Sequence, residues 1–341
     1  MGLCRYLLKR TVNTAVLVVF VVVINFLIFD LLPGTQGIIA AFLGNPRRDP
    51  AAIDRILTKW GLCQGLDEFG ECIPTDLWTR FSRYFVNILT FQFGDSMQTG
   101  KPVLDDVIGS GRLANTLTLL GTATVISLIV GTVLGVLVAA RRGSLFDGGW
   151  VVTSLITFSL PTFWMGLIFI MVFAQQLNWF PSGGVTPPIW ILGKPPFLEQ
   201  ILVRMQHLFL PALTLTLFFY GGNLLLTRAT TLEALSEDCI TTARAKGLPE
   251  RTVLFKHALK NASLPLVTNA ALSFAGLLGG AVITETVFNW DGLGYWLFSS
   301  IGWKDLTVMQ AMFYLIALTT IAANFISDII YGILDPRISY Q

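Results

Sequence analysis

The stretch LANTLTLLGTATVISLIVGTVLGVLVAA, from Leu113 to Ala140, runs for 28 residues without a charged side chain. An α-helix needs about 20 apolar residues to cross about 30 Å of hydrocarbon, so this stretch is long enough to span a membrane. Its apolar residues do not alternate strictly with polar ones, as they would in a transmembrane β-barrel strand. The stretch therefore predicts a membrane-spanning helix.

Five further apolar stretches of similar length occur along the chain. The 341-residue sequence is 53% hydrophobic and only 13% charged, whereas soluble domains carry about a quarter charged residues. The first stretch exceeds the apolar region of a signal peptide and lacks a cleavage pattern, so it predicts a retained span. We therefore expect an all-α membrane protein with six transmembrane helices. The predicted spans are Thr11–Leu32, Leu113–Ala140, Trp150–Ala174, Leu208–Thr227, Leu266–Trp290 and Leu306–Leu334.

The distribution of Lys and Arg predicts the orientation of these spans. With the N-terminus inside, the inner segments carry twelve basic residues and the two short outer loops carry three. Cytoplasmic loops are enriched in Lys and Arg, so both termini are predicted to be cytoplasmic. The other eight basic residues lie between Arg47 and Arg112, in an external segment long enough to escape this rule.

This large external segment joins the first two predicted spans. Apolar residues recur at helical spacing from Ala52 to Trp60 and from Trp78 to Leu89, which predicts two amphipathic helices. These helices either lie on the outer face of the membrane or simply pack against each other. Cys63 and Cys72 are disulfide candidates in an oxidising compartment, and two free thiols are the alternative.

The inner loop between the fourth and fifth predicted spans is too long and too charged for a simple connection. Ser236 suits the N-cap of a short helix that runs to Lys246, and Gly247 suits the left-handed conformation that ends it. Pro249 suits the first turn of a second helix. A short rigid helix beneath the membrane is suited to receive a push from a soluble partner.

The same loop carries small side chains, which permit close approach, and basic ones, which offer charge-assisted contacts to acidic groups. The alternative is a basic inner loop that obeys the positive-inside rule and binds nothing. The residues that these properties single out as contacts for a partner are Ala243, Arg244, Ala245, Lys246, Gly247 and Arg251.

Several motifs resemble one known family. The run TARAKGL at Thr242–Leu248, with Asn261-Ala262 and Leu264-Pro265 after it, looks like the cytoplasmic loop of binding-protein-dependent ABC importer permeases. The chain is most similar to the first permease subunit of the dipeptide, oligopeptide and nickel branch. Further matching motifs are Phe93-Gly94-Asp95-Ser96, Leu160-Pro161, Trp179-Phe180-Pro181, Leu210-Pro211-Ala212, Glu285-Thr286-Val287-Phe288 and Asp335-Pro336-Arg337.

The resemblance implies a permease in a prokaryotic cell membrane that imports di- or oligopeptides or similar small solutes. It implies a second homologous permease, one or two ABC ATPase subunits and an extracytoplasmic substrate-binding protein as partners. It also implies an N-terminal unit, 1–112, made of the first span and the external segment, and a permease core, 113–341. The inner loop of this core, 228–265, couples to the ATPase, and the resemblance adds Thr242 and Leu248 to the predicted coupling residues. Asp291 departs from the family pattern, which usually has proline there, and this departure could alter the outer gate.

Sequence motifs for catalysis are missing. Gly100-Lys101 and Gly193-Lys194 lack the spacing and the following Ser or Thr of a Walker A motif, and no metal-binding pattern occurs. The chain is therefore predicted to be non-catalytic and to bind no cofactor, with ATP and Mg held by partner subunits. A net charge of +2 gives no reason to expect nucleic-acid binding. The alternative is a secondary transporter driven by an ion gradient, but such folds usually show internal repeats, which we do not find.

Polar residues within spans are costly in lipid and need a reason. Asn324, Asp328 and Glu285 are predicted to line the translocation path or to contact the second permease. For Asp328, pairing inside the helix bundle near the inner water boundary is the favoured alternative. Gly131 and Gly135 form a pair of small residues that predicts close helix packing.

Overall fold

The structure is a computed structural model, and it describes residues 3–32, 63–66, 72–191, 193, 195–275 and 281–334. In this part of the chain, π-helical segments with wider turns occur at Leu27–Leu31, Ile170–Gln176 and Val253–Ala258, and the first two extend the α-helices that precede them. The α-helices longer than five residues are α1 (Leu3–Phe26), α2 (Leu77–Leu89), α3 (Val103–Gly109), α4 (Arg112–Ala140), α5 (Leu145–Ser159), α6 (Thr162–Phe169), α7 (Phe197–Leu235), α8 (Asp238–Ala245), α9 (Ser263–Ala275), α10 (Val282–Val287), α11 (Leu293–Trp303) and α12 (Leu306–Leu334).

Four helices among the described residues are long and apolar enough to cross a membrane, namely α1 with its π-helical extension, α4, α7 and α12. They confirm the first, second, fourth and sixth predicted spans and the all-α membrane fold. A fifth span is present if the bent pair of α5 and α6 is counted as one. The predicted number of six spans is not established by the described helices.

The third predicted span is wrong as a straight helix. Helices α5 and α6 meet at an angle of 99°. Leu160 takes an extended conformation, with ψ of 133°, because the ring of Pro161 disfavours a helical conformation in the residue before it. Pro161 also lacks the N–H that would continue the helix, so α6 starts anew after it.

The fifth predicted span, Leu266–Trp290, is not seen as one helix. Helix α9 is described as far as Ala275, and α10 runs from Val282 to Val287. Ala281 before α10 has φ of −102° and ψ of 61°, which is not helical. Residues 276–280 between them lie outside the described residues. After α10 the chain turns at Asn289, which has a positive φ of 48°, and enters α11.

Helix α2 confirms the second amphipathic helix predicted in the external segment. Asp76 caps its N-terminus by accepting a hydrogen bond of 2.9 Å from the Thr79 N–H. One face packs on α1, where the rings of Phe81 and Tyr84 each lie 5.3 Å from Phe26. The opposite face is open, and Val86 on it is 57% exposed. Trp78 in the first turn lies 6.1 Å from the Phe81 ring but is 75% exposed. The helix predicted at 52–60 lies outside the described residues.

A short antiparallel hairpin lies in the same external segment. Strand β1 (Cys63–Leu66) pairs with β2 (Cys72–Pro74), and Cys63 lies opposite Pro74 while Cys72 lies opposite Leu66. The two cysteines are therefore on neighbouring strands at offset positions. A disulfide between them stays a prediction.

The most extensive helix contact is that of α4 with α7, followed by α1 with α12, α5 with α7 and α9 with α12. Buried side chains of α1, α2, α3, α11 and α12 form one apolar cluster around Trp296 and Met312. A second cluster joins α4 and α7 through Leu119, Leu120 and Leu215. The inner loop has a small apolar cluster of its own, described below.

Candidate functional site

Helix α8 forms the centre of the inner loop in which the coupling surface is predicted. Gly247 has a φ of +73°, and its N–H donates to the Arg244 carbonyl at 2.9 Å. The Leu248 N–H donates to the Ala243 carbonyl at 3.4 Å. These two hydrogen bonds around a left-handed glycine make a Schellman motif, which confirms that Gly247 ends the helix.

The predicted start of this helix is wrong. Helix α7 runs eight residues beyond the predicted span end at Thr227, and Ser236 closes its last turn by donating to the Glu233 carbonyl at 2.6 Å. Helix α8 therefore begins only at Asp238. Pro249 lies one position outside the next helical stretch, which starts at Glu250, rather than in its first turn.

The buried face of α8 fixes the helix to its own chain. Ile240 and Ala243 are 0% and 5% exposed, and they pack with Val253, Ala258 and Ala262. Small side chains on both sides let the two segments approach closely. Ala243 is therefore a contact within the chain. Its small side chain had suggested close docking of a partner, but this side chain is buried against the chain's own residues.

The other predicted coupling residues are exposed. Thr242 is exposed on α8, and every residue from 244 to 251 is exposed as well. We call residues 244–251 the inner turn. Leu248 at its tip, an apolar residue, is 36% exposed. The inner turn is thus a solvent-facing projection on a buried platform.

An ion pair that the sequence did not reveal braces the inner turn. Arg244 donates to both carboxylate oxygens of Glu250, from Nη2 to Oε1 at 2.6 Å and from Nε to Oε2 at 3.3 Å. The hydrogen bond from Arg244 holds the pKa of Glu250 below its usual value. Arg244 is thus already paired within the chain. Within the described part of the chain, Lys246 and Arg251 have no ion-pair partner.

A second polar contact ties down the start of α8. The Asn261 side-chain amide donates to Glu237 Oε2 at 2.6 Å and to Cys239 Sγ at 3.2 Å. Both ends of α8 are therefore attached to the chain that follows it, which makes the inner turn and its platform one unit.

Helices α4 and α7 approach each other closely because two glycines lie at their contact. A methyl group added at Gly131 would lie 2.6 Å from Asn223 Cβ, and one at Gly135 would lie 2.6 Å from Thr227 Cβ. Such distances are far below ordinary van der Waals contact. The predicted packing role of this glycine pair is confirmed.

This close approach places a chain of polar side chains between α4, α7 and α9. The Asn269 amide donates to Asn223 Oδ1 at 2.7 Å, and the Asn223 amide donates to Ser127 Oγ at 3.3 Å. Ser127 in turn donates to the Thr124 carbonyl at 2.9 Å. These residues line an open groove of about 400 Å³, which we call the amide groove.

Glu285 is fully buried in the half of the molecule that is predicted to face outward. Its Oε1 accepts from Thr116 Oγ at 2.8 Å, and its Oε2 accepts from the Tyr295 N–H, in the first turn of α11, at 3.0 Å. A carboxylate at a helix N-terminus is stabilised by the unpaired N–H groups there. The prediction that Glu285 faces a path or a second subunit is not met, because its carboxylate is enclosed within the chain.

Asp291, the residue that departs from the family pattern, lies beside this network. Its Oδ1 accepts from Arg112 Nε at 3.1 Å, and its backbone carbonyl accepts from the Asn115 amide at 2.8 Å. The guanidinium of Arg112 also lies 4.7 Å from the ring centre of Trp296. The start of α4 and the start of α11 are thereby joined by polar contacts.

Asn324 and Asp328 lie one turn apart on α12 but differ in environment. Asp328 Oδ2 pairs with Arg10 Nη1 on α1 at 3.1 Å, so the favoured alternative, pairing inside the bundle, is the arrangement found. Asn324 is exposed. A role for Asn324 in the path or at a subunit contact stays a prediction.

Among the described residues, no group of three or more His, Cys, Asp or Glu side chains could hold a metal ion. His207 instead has a structural contact, because its Nδ1 lies 3.0 and 3.1 Å from the carbonyl oxygens of Gly183 and Gly184. Since both neighbours are acceptors, Nδ1 carries the proton and holds that turn against α7.

Comparison with known proteins gives a consistent result. Residues 131–340 match the family described as binding-protein-dependent transport system inner membrane component. The oligopeptide transport system permease AppB of Bacillus subtilis is 34% identical over 99% of this chain and 100% of its own length. The di/tripeptide permease DppB of Pseudomonas aeruginosa is 35% identical over 94% of each chain. The dipeptide permease DppB of Alkalihalophilus pseudofirmus is 30% identical over 98% of this chain.

Proposed function

The chain belongs to the family of binding-protein-dependent transport system inner membrane components, and from this premise we propose that it forms half of the path of an ATP-driven peptide importer. As a member of that family it is a multi-pass protein of the inner membrane. The relatives give no support to the alternative of a secondary transporter driven by an ion gradient.

The proposed cargo is a dipeptide or oligopeptide. Relatives that match over nearly the whole chain are named as permeases for oligopeptides, di/tripeptides and dipeptides. Their identities of 30 to 35% support a shared cargo class but not a single shared peptide.

The inner turn, 244–251, is the proposed contact for an ABC ATPase. The observation that carries this proposal is a rigid projection: exposed residues on a buried platform, braced by the Arg244–Glu250 pair and by Asn261. A projection that transmits movement must not deform when it is pushed. Closure of the ATPase pair on ATP would then shift the inner turn and tilt the helices to which it is fixed.

The remaining partners and the orientation follow the same scheme. A second homologous permease forms the other half of the path, and a substrate-binding protein delivers cargo on the outer side. ATP and Mg are bound by one or two types of ATPase subunit, and this chain does not hydrolyse ATP.

Both chain ends are cytoplasmic, and the ion pair between Arg10 and Asp328, near those ends, supports placing them on the same side. In this proposal, residues 1–112 form a unit made of the first transmembrane helix and the external segment, and residues 113–341 form the permease core.

Photo-crosslinking in the assembled transporter tests the ATPase contact. We expect Leu248→Cys, labelled with a benzophenone maleimide in a background without the four native cysteines, to capture an ATPase subunit. The control is Trp78→Cys, which is more exposed than Leu248 but lies on helix α2 of the predicted external segment and should capture none. An intact complex in which the probe at 248 never reaches the ATPase would contradict the proposal.

A further inference from the structure

The amide groove lies deep in the membrane-spanning part of the molecule. Ser127 is near the middle of α4, about 20 Å from each end at 1.5 Å per residue. The groove is bounded by α4, α7 and α9, with Phe158 of α5 at its edge. Ser127 is 1% and Asn223 8% exposed, whereas Asn269 at the mouth is partly exposed.

The hydrogen bonds of the groove run in one direction. Asn269 donates to Asn223, Asn223 donates to Ser127, and Ser127 donates to a backbone carbonyl. In this arrangement the Asn269 carboxamide ends the series, with its Oδ1 free of hydrogen bonds to the described residues. A carboxamide has two donors and a two-lone-pair acceptor, so Asn269 retains both kinds of group for a ligand.

The chemistry of the groove excludes several occupants. Polar side chains at this depth are unfavourable against lipid, which offers them no hydrogen bonds. No residue that lines the groove in the described part of the chain is charged, so a small ion would find no counter-charge. A peptide backbone, in contrast, presents N–H donors and C=O acceptors, which match the acceptor and the donor of an asparagine side chain.

We propose that the amide groove binds the backbone of the peptide cargo, with Asn269 Oδ1 accepting a hydrogen bond from a backbone N–H and with Asn223 and Ser127 holding Asn269 in place. This inference rests on the proposed function. An uncharged groove that recognises the backbone lets cargo side chains differ in charge. Asn269 thus touches the cargo, whereas Asn223 is a positioning residue.

Gly222 offers a steric test of the same groove. It lines the groove on α7, and a methyl group added there would meet no heavy atom within 4 Å. A larger side chain at 222 would therefore extend into the groove without disturbing the helix contacts. Gly121 on α4 has equally open surroundings but does not line the groove, so it provides the control position.

The first experiment compares import by the complete transporter in proteoliposomes, with binding protein, second permease and ATPases present. We expect Gly222→Leu to lower import of a dipeptide at least about tenfold and Gly121→Leu to leave it near the wild-type rate. Equal import by the two variants would overturn the proposal. Import at the wild-type rate by both variants would leave the proposed function intact, whereas failure of the wild type to import peptides would reject that function.

The second experiment asks whether Asn269 recognises the backbone. A dipeptide is compared with its ester analogue, in which an oxygen replaces the backbone N–H, in wild type and in Asn269→Ala at saturating binding protein. We expect either change alone to slow import about three- to tenfold, as for the loss of one hydrogen bond, and the two together to cost little more. The same binding protein delivers cargo to wild type and to Asn269→Ala, so its preference between the dipeptide and the ester affects both permeases equally and cancels in the comparison. Fully additive losses, or no effect of Asn269→Ala, would refute the backbone contact.

A crosslinking experiment distinguishes the other occupant, the second permease. If side chains of that subunit fill the groove, Gly222→Cys will crosslink to it in the absence of cargo. Cargo will then fail to protect the cysteine from thiol reagents, and the proposal is overturned. Protection by peptide and not by free amino acid is the result expected for a peptide site.

Discussion

The sequence and the structure assign different contacts to Arg244. Its charge and its place in the inner loop favour a contact to an acidic group on an ATPase. The structure pairs it with Glu250 across the Gly-Leu-Pro turn. Both side chains are about half exposed, so the pair contributes only about 0.2–1 kcal/mol to stability, the range of exposed ion pairs. Its main effect is on the geometry of the inner turn.

A charge swap separates bracing from direct contact. We expect Glu250→Arg to lower ATPase stimulation by loaded binding protein about two- to fivefold, because the pair is broken and the turn loosens. The double variant Arg244→Glu with Glu250→Arg re-forms the pair and should recover most of that loss. If the double variant is no better than the single one, Arg244 acts by touching the ATPase and not by bracing the turn.

The pH dependence of the pair has a defined sign. Arg244 lowers the pKa of Glu250, so the pair stabilises the folded protein at pH values above the ordinary carboxyl pKa. This contribution disappears as the pH falls through the lowered pKa. Thermal unfolding of wild type and Glu250→Gln should therefore differ at pH 7 and converge near the acid limit of measurement, whereas a difference that persists there would exclude ionisation of Glu250 as its cause.

At the scale of elements, the contact of α4 with α7 decides the position of the amide groove. Gly131 and Gly135 lie one turn apart and face α7, where their hydrogens touch side chains and backbone. This contact brings Asn223 to Ser127. The spacing of the two glycines predicted a close helix contact. It did not predict that α7 is the partner helix, because the sequence does not show which helix packs against the small-residue face of α4.

A methyl scan of α4 tests this contact. Gly135→Ala should destabilise the protein by about 1–3 kcal/mol, because the added carbon would lie 2.8 Å from the Leu224 carbonyl oxygen, which belongs to rigid backbone. Gly121→Ala has free space and should be neutral or stabilising, since alanine favours a helix. The thermal unfolding midpoint of the purified complex measures both, and equal midpoints for the two variants would contradict the packing described here.

The breaks in the helices were only partly predictable from the sequence. The bend at Pro161 has a local cause in the restriction that proline places on Leu160. It was nevertheless missed, because the apolar run from Trp150 to Ala174 continues across it. Pro211 in α7 causes no break at all, so proline alone did not identify which span would bend. The length and apolar character of the other spans predicted α1, α4, α7 and α12 correctly.

At the scale of the whole molecule, Glu285 joins parts of the chain that are far apart in sequence. Thr116, Glu285 and Tyr295 meet in one buried network between α4, α10 and α11. Gly292 leaves room for it, since a methyl group there would lie 2.5 Å from Glu285 Oε2 and from Thr116 Oγ1. The network fixes the outer half of the molecule.

Substitutions at Glu285 test this structural role. Glu285→Gln keeps the shape but turns an acceptor into a donor against Thr116 or Tyr295, and we expect it to cost about 1–3 kcal/mol. Thr116→Val removes the hydroxyl that links Glu285 to the Leu293 N–H and should lower stability similarly. The unfolding midpoint reports this cost, while ATPase stimulation per folded complex should stay near wild type. A normal midpoint with lost transport would instead assign Glu285 to the path.

The sequence by itself determined that this chain crosses a membrane, where its helices of membrane length lie and that Gly247 ends the inner helix. These properties follow from residues that are neighbours in the chain. Only the tertiary structure decided the Asn223–Ser127, Asn269–Asn223 and Thr116–Glu285 contacts, whose members lie 96, 46 and 169 positions apart. The physical reason is that a hydrogen bond depends on the distance between atoms in space, and helix packing sets that distance.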